Sequence, residues 1–149
     1  MLGFGAYSLR HDTFQIMERL PGVRPATVEE FGKYFDPHME MIVDDDDQIF
    51  IGTDGGGIYH LIPDINSWTN YRLSDHPDLE SRDIVIALYP KTDSSIYVGT
   101  RFQGLCTFNT STRTFDCIER DRNSEFRLHI EATPAIEKDR AGRLWVGMS

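Results

Sequence analysis

Arg101, Phe102 and Gln103 place a planar cation, an aromatic plate and an amide at three consecutive positions. That set suits a sugar, whose apolar ring face stacks on an aromatic while its hydroxyls bond to guanidinium and amide groups. The plainer alternative is an exposed turn with a packed Phe and a solvated Arg. Further ligand-binding candidates lie in stretches of turn-forming composition: Asp54 before Gly55-Gly56, His76 and Arg82 between Ser74 and Asp83, and Arg127 and His129 at the end of the stretch from Asn123. No catalytic, metal or cofactor constellation accompanies them. Gly-x-Ser-x-Gly, His-Glu-x-x-His and Cys-x-x-Cys are absent, and the five histidines (His11, His38, His60, His76, His129) are scattered. The glycines from Gly52 to Gly57 do not make a phosphate loop, because His60 stands where the third glycine is required. Asp44 to Asp47 do not open an EF-hand, since Ile49 and Gly55 occupy its sixth and twelfth positions; a solvated hairpin turn is expected there.

The elements that must position the candidates are announced by an internal repeat. Ile49-Phe50-Ile51-Gly52, Ile96-Tyr97-Val98-Gly99 and Leu144-Trp145-Val146-Gly147 each read aliphatic, aromatic, aliphatic, glycine, with glycines 47 and 48 residues apart. A polar turn precedes each run, and a short apolar segment precedes each turn, clearest at Ile84 to Tyr89. Gly57-Ile58-Tyr59-His60-Leu61 and Gly104-Leu105-Cys106-Thr107-Phe108 keep the 47-residue offset, and each is followed by a turn and another β-prone run. The N-terminal Gly5-Ala6-Tyr7-Ser8-Leu9 and Phe14-Gln15-Ile16 repeat this second half.

Each complete unit therefore predicts four short antiparallel strands in about 45 residues, the size of a β-propeller blade. Nothing helical alternates with them, so a parallel βαβ sheet is not expected. Phe50, Tyr97 and Trp145 are expected to pack between blades; the alternative is an ordinary β-sandwich core. The predicted organisation is an all-β partial propeller of about three blades. Residues 1–20 form a half blade, 39–73 and 83–120 full blades, and 133–149 a second half blade. Residues 21–38 form an inter-blade insertion, in which Thr27-x-x-Glu30 can cap a short helix. Closed propellers need about four to eight blades. The expectation is thus a fragment of a larger propeller, or further copies that complete the ring head to tail.

Composition bounds the partners. The 149 residues carry 15 Lys and Arg against 24 Asp and Glu, a formal charge of −9, which disfavours nucleic-acid phosphates and anionic membranes. No run of 18 apolar residues occurs, and the first residues lack the basic and long apolar regions of a signal peptide.

The pattern Asp139-Arg140-Ala141-Gly142-Arg143-Leu144-Trp145-Val146-Gly147, with Ile51-Gly52-Thr53-Asp54-Gly55-Gly56-Gly57-Ile58, resembles the two-component regulator propeller repeat. Such repeats build extracytoplasmic sensor regions of bacterial hybrid histidine kinases. The resemblance covers most of the chain outside residues 19–38. It departs at Met148, where Thr is usual, at Arg101-Phe102-Gln103 in place of a glycine-rich turn, and at Asp47 and Ser94 in place of the turn glycine. It implies a non-catalytic, periplasmic, ligand-sensing segment of a signalling receptor, with an extracellular carbohydrate or similar small molecule as ligand. Two other functions share the fold: a propeller enzyme of the streptogramin-lyase type, which would need His76 or His129 beside carboxylates, and a protein-interaction scaffold with a large apolar patch on the ring face.

The two cysteines are placed by counting. If residues 110–113 form a four-residue turn, Asn109 faces Thr114, Phe108 faces Phe115 and Cys106 faces Cys117. Opposed residues on neighbouring strands lie within reach of a disulfide, which an exported protein would form and a cytoplasmic one would not. Asn109-Thr110-Ser111 also matches a glycosylation sequon, which matters only in a secretory pathway.

Overall fold

The computed structural model describes residues 4–8, 13–17, 40–65, 67–73, 83–118 and 132–149. The expected helix at residues 27–31 lies outside them. The chain divides into two compact units, Met1–Phe35 and Asp36–Ser149. The first contains β1 (Phe4–Ser8) and β2 (Thr13–Met17), an antiparallel pair running from Phe4 opposite Met17 to Ser8 opposite Thr13.

The second unit holds three antiparallel sheets. Sheet I is β3 (Met41–Val43), β4 (Ile49–Thr53), β5 (Gly57–Ile62) and β6 (Ser67–Tyr71), in sequence order across the sheet, with a single 3-10 turn at Pro63–Ile65. Sheet II is β7 (Val85–Thr92), β8 (Ser95–Thr100), β9 (Leu105–Asn109) and β10 (Thr114–Cys117), again in order. Sheet III is β11 (Ala135–Lys138) with β12 (Leu144–Gly147). No α-helix occurs among the described residues.

Strand alternation dictates how the sheets stack, because successive side chains point to opposite faces. In β8, Ile96 and Val98 face sheet I, and Tyr97 faces sheet III. In β9, Cys106 and Phe108 face sheet I, and Leu105 faces sheet III. A bulge between Val85 and Ala87 resets the alternation in β7, so that Val85 and Leu88 both face sheet I while Ala87 faces sheet III. Phe50 and Ile58 of sheet I close the first interface; Ile136 and the half-buried Leu144 and Val146 of sheet III close the second. Each sheet thus buries a face of the next, as propeller blades do. Pro90 sits in β7, an edge strand, where its missing N–H breaks no interior ladder.

The glycine of the repeated run is explained by this stacking. A Cβ on Gly52 would lie 2.6 Å from Val85 Cγ1, on the first strand of the next sheet. A Cβ on Gly99 would run into the carbonyl oxygen of Thr133, just before β11. The run ends in glycine where the following blade crosses at close range. Phe50 and Tyr97 pack between sheets as the sequence predicts. Trp145 does not: it is 59% exposed, because it lies on the face of sheet III turned away from sheet II.

Candidate functional site

The β4–β5 and β8–β9 turns lie at the same end of their sheets, and a threonine closes each in the same way. Thr100 Oγ1 donates to Gly104 O at 3.0 Å and accepts from Gln103 N at 2.8 Å. Thr53 Oγ1 donates to Gly57 O at 2.9 Å and accepts from Gly56 N at 3.1 Å. Gly57 and Gly104 take positive φ (71° and 68°), which brings the chain back into the following strand. The two threonines were not among the candidates, although their place after the repeated glycine was a signal for them. Both are buried, so they hold the turns and leave recognition to the residues between.

In the second turn Phe102 is 54% exposed, flanked by the half-buried Arg101 and Gln103. Arg101 is anchored by its backbone, whose N–H donates to Ile84 O at 3.0 Å. Gln103 Oε1 lies 3.6 Å from Cys117 Sγ. That is a contact and not a hydrogen bond, since Cys117 is joined to Cys106 and its sulfur carries no proton. In the first turn Asp54 is exposed, next to Gly55 with φ 90°. Arg101, Phe102 and Gln103 are therefore together on one rigid turn, with Asp54 on the equivalent turn of the neighbouring sheet. His76, Arg82, Arg127 and His129 lie outside the described residues.

The residues that flank those connections tie this end together. Asp83 O accepts from Gly57 N at 2.9 Å, and Thr133 N donates to Thr100 O at 2.9 Å. Each connection thus returns beside the turn of the preceding sheet. Loops on such a scaffold can vary while the sheets hold them in place.

The opposite end carries the hairpin turns. Asp44 Oδ1 accepts from the N–H groups of Asp46 and Gln48 at 3.0 and 2.8 Å, and Asp47 takes φ 58° in place of the usual glycine. Asp139 does the same for Ala141 and Arg143, both at 2.9 Å. Its Oδ2 accepts from Trp145 Nε1 at 2.9 Å and Arg143 Nε at 2.7 Å. The Trp145 bond, with those from Arg143, holds this carboxyl at about 2, well below the usual range. His60 stacks on Phe50 with ring centroids 4.3 Å apart and bonds to Gln48 Oε1 at 2.7 Å. Burial pushes its pKa down against the pull of Asp44. His60 serves packing between sheets I and II. Among the described residues no three His, Cys, Asp or Glu side chains are gathered to hold a metal ion, and no helix is long and apolar enough to cross a membrane.

The fold is therefore all-β, with antiparallel four-stranded sheets stacked face to face as a partial propeller. No protein-family model matches the chain, and no curated protein sequence does. Among solved structures it is similar to the extracellular domain of BT4673 from B. thetaiotaomicron, named as a one-component system, with a TM-score of 0.64 and 19% identity over 97% of this chain and 17% of that one. It is equally similar, at 0.64 and 19%, to the extracellular domain of BT3049 from the same organism, named as a hybrid two-component system, over 97% of this chain and 18% of that one. The chain spans less than a fifth of either relative. At this identity the likeness establishes the fold.

Proposed function

We propose that the chain is a ligand-sensing propeller segment of a bacterial signalling receptor, working outside the cytoplasm and recognising a carbohydrate or similar small ligand without catalysis. The observation that carries this reading is the β8–β9 turn. Thr100 holds it shut at its base, and it exposes Phe102 between Arg101 and Gln103 in the sequence of the turn. An aromatic held in that way stacks on a sugar face without losing much side-chain freedom on binding. The two extracellular domains of similar fold, each named as part of a signalling system, support the setting, as does the Cys106–Cys117 disulfide, a bond that persists in oxidising compartments. Histidine-kinase coupling and a periplasmic location extend the same reading.

A glycan array followed by calorimetry on the best binder tests it. Phe102→Ala and Arg101→Ala should each weaken binding by roughly tenfold or more, about 1.4 kcal/mol, with the β-rich circular dichroism spectrum retained. Glycans that bind both variants as tightly as the parent chain, or an array with no binder, would remove the carbohydrate assignment.

A further inference from the structure

We propose that Asn70, on the outer strand of sheet I, is a positioning residue for recognition: its side-chain amide fixes the glycine-rich turn that carries Asp54. The inference rests on the sensor reading, in which the β4–β5 and β8–β9 turns meet the ligand.

The need for such a residue comes from the sequence of the turn. Gly55, Gly56 and Gly57 follow Asp54, and Gly55 and Gly57 take φ 90° and 71°. Glycine enters positive and negative φ about equally well, so backbone preference does little to fix the peptides here. The peptide between Gly56 and Gly57 is instead held from outside at both ends. Its carbonyl accepts from Asn70 Nδ2 at 2.7 Å, and its N–H donates to Asp83 O at 2.9 Å. The same Asn70 nitrogen reaches Ile58 O at 3.3 Å, so one amide bonds the carbonyls on either side of Gly57. Thr53 Oγ1 bonds Gly56 N and Gly57 O, which leaves the Gly56 carbonyl to Asn70. A flip of this peptide would break the Asn70 and Asp83 bonds together and carry Asp54 to a different place.

Sheet II supplies the comparison. Asn70 pairs with Tyr59, and Cys117 pairs with Cys106, so Cys117 is the counterpart of Asn70 in the repeat. Gln103 is likewise the counterpart of Gly56. In that turn Arg101, Phe102 and Gln103 replace the glycines, and their side chains restrict φ without help. Cys117 is bonded to Cys106 and has no proton to donate. The amide stands on the outer strand where the turn is glycine-rich, and a residue without a donor stands there where the turn carries side chains. Asn70 is thus matched to the turn it braces, in a way that general strand pairing does not require.

Amide hydrogen exchange, followed by NMR on the full chain, tests the brace without any ligand. Asn70→Ala should speed exchange of the Gly57 N–H by roughly tenfold or more, with Tyr59 and Leu61 in the same strand changed by less than about twofold. Asn70→Asp sets a carboxylate against two carbonyl oxygens at neutral pH. Its Gly56 and Gly57 resonances should return toward those of the parent chain as the pH falls and the carboxyl regains a proton to donate, with a midpoint above the ordinary value of about 3.9. A residue that merely fills space would not show that return. Binding is then measured on the glycan that binds best on the array. Asn70→Ala should weaken it, and adding Asn70→Ala to Asp54→Ala should weaken it no further than Asp54→Ala alone, because Asn70 acts through Asp54. Unchanged exchange at Gly57, Tyr59 exchange rising in step with it, no return with pH, or additive losses in the double variant would each overturn the proposal. An array without a binder would overturn the role in recognition together with the sensor reading, whereas a failure of the exchange experiment leaves that reading standing.

Discussion

Gly99 and Gly52 occupy the same place in the repeat but face different obstacles. A methyl group at 99 meets a backbone carbonyl, that of Thr133, and Ala87 Cβ at 2.9 Å. At 52 it meets a methyl group, Val85 Cγ1, at 2.6 Å, while the nearest backbone atom, Val85 O, stands off at 3.2 Å. Gly99→Ala should therefore cost about 3 kcal/mol and Gly52→Ala about 1 kcal/mol, read as shifts in the urea midpoint at constant slope. Equal costs would mean that sheets II and III approach less closely than described. His60 makes a prediction in pH. Its folded pKa is depressed by burial, so the unfolded chain takes up the proton more readily. Its contribution is intact above the ordinary value of about 6.5 and is lost as pH falls below it. His60→Phe keeps an aromatic on Phe50 and removes the proton, so it should flatten the loss of stability between roughly pH 7.5 and 5.5 relative to the parent chain. An unchanged pH slope would show that His60 is solvated.

The element with the clearest constraint is the β9–β10 hairpin. Asn109 Oδ1 accepts from the N–H groups of Ser111 and Thr112 at 3.0 and 2.9 Å, and Arg113 takes φ 62° to close the turn. That turn sets the register that puts Cys106 opposite Cys117, eleven residues apart and bonded. β10 is an outer strand with nothing paired on its far side among the described residues, so the crosslink holds an edge that would otherwise fray. Loop closure of this length is worth about 3 kcal/mol in the chain-entropy account. Reduction, or the double variant Cys106→Ala with Cys117→Ala, should lower stability by that order and speed amide exchange in β10 ahead of β8. Exchange in β10 that is insensitive to reduction would place its stability in the packing of Phe115 on Phe108, whose ring centroids are 4.6 Å apart.

At the scale of the whole molecule, stacking covers the aromatic of one sheet and leaves the equivalent aromatic of another exposed. In sheet III Trp145 is exposed, pinned by Asp139 and with the Arg143 guanidinium 5.7 Å from its ring. In sheet II the equivalent Tyr97, with Lys91 Nζ 5.0 Å from its ring, packs against the cluster it shares with sheet III. The same device is covered in one place and open in the other.

How much of this was legible before any coordinates follows from what each feature depends on. Strand identity, the four-strand unit and the β9–β10 register depend on local alternation and turn chemistry, which the residues carry themselves: the repeated Ile-Phe-Ile-Gly type run and the Asn109 to Arg113 turn sufficed. The clustering of Arg101, Phe102 and Gln103 was legible for the same reason, since three adjacent residues need no fold to bring them together. The role of Thr53 and Thr100 was written in the repeat but needed the turn geometry to be understood. The bulge at Val85–Ala87, the burial of Phe50 beside the exposure of Trp145, and the close approach at Gly99 belong to contacts between sheets far apart in the chain. Identical motifs met different neighbours there, and only the tertiary structure decided which of them would be covered.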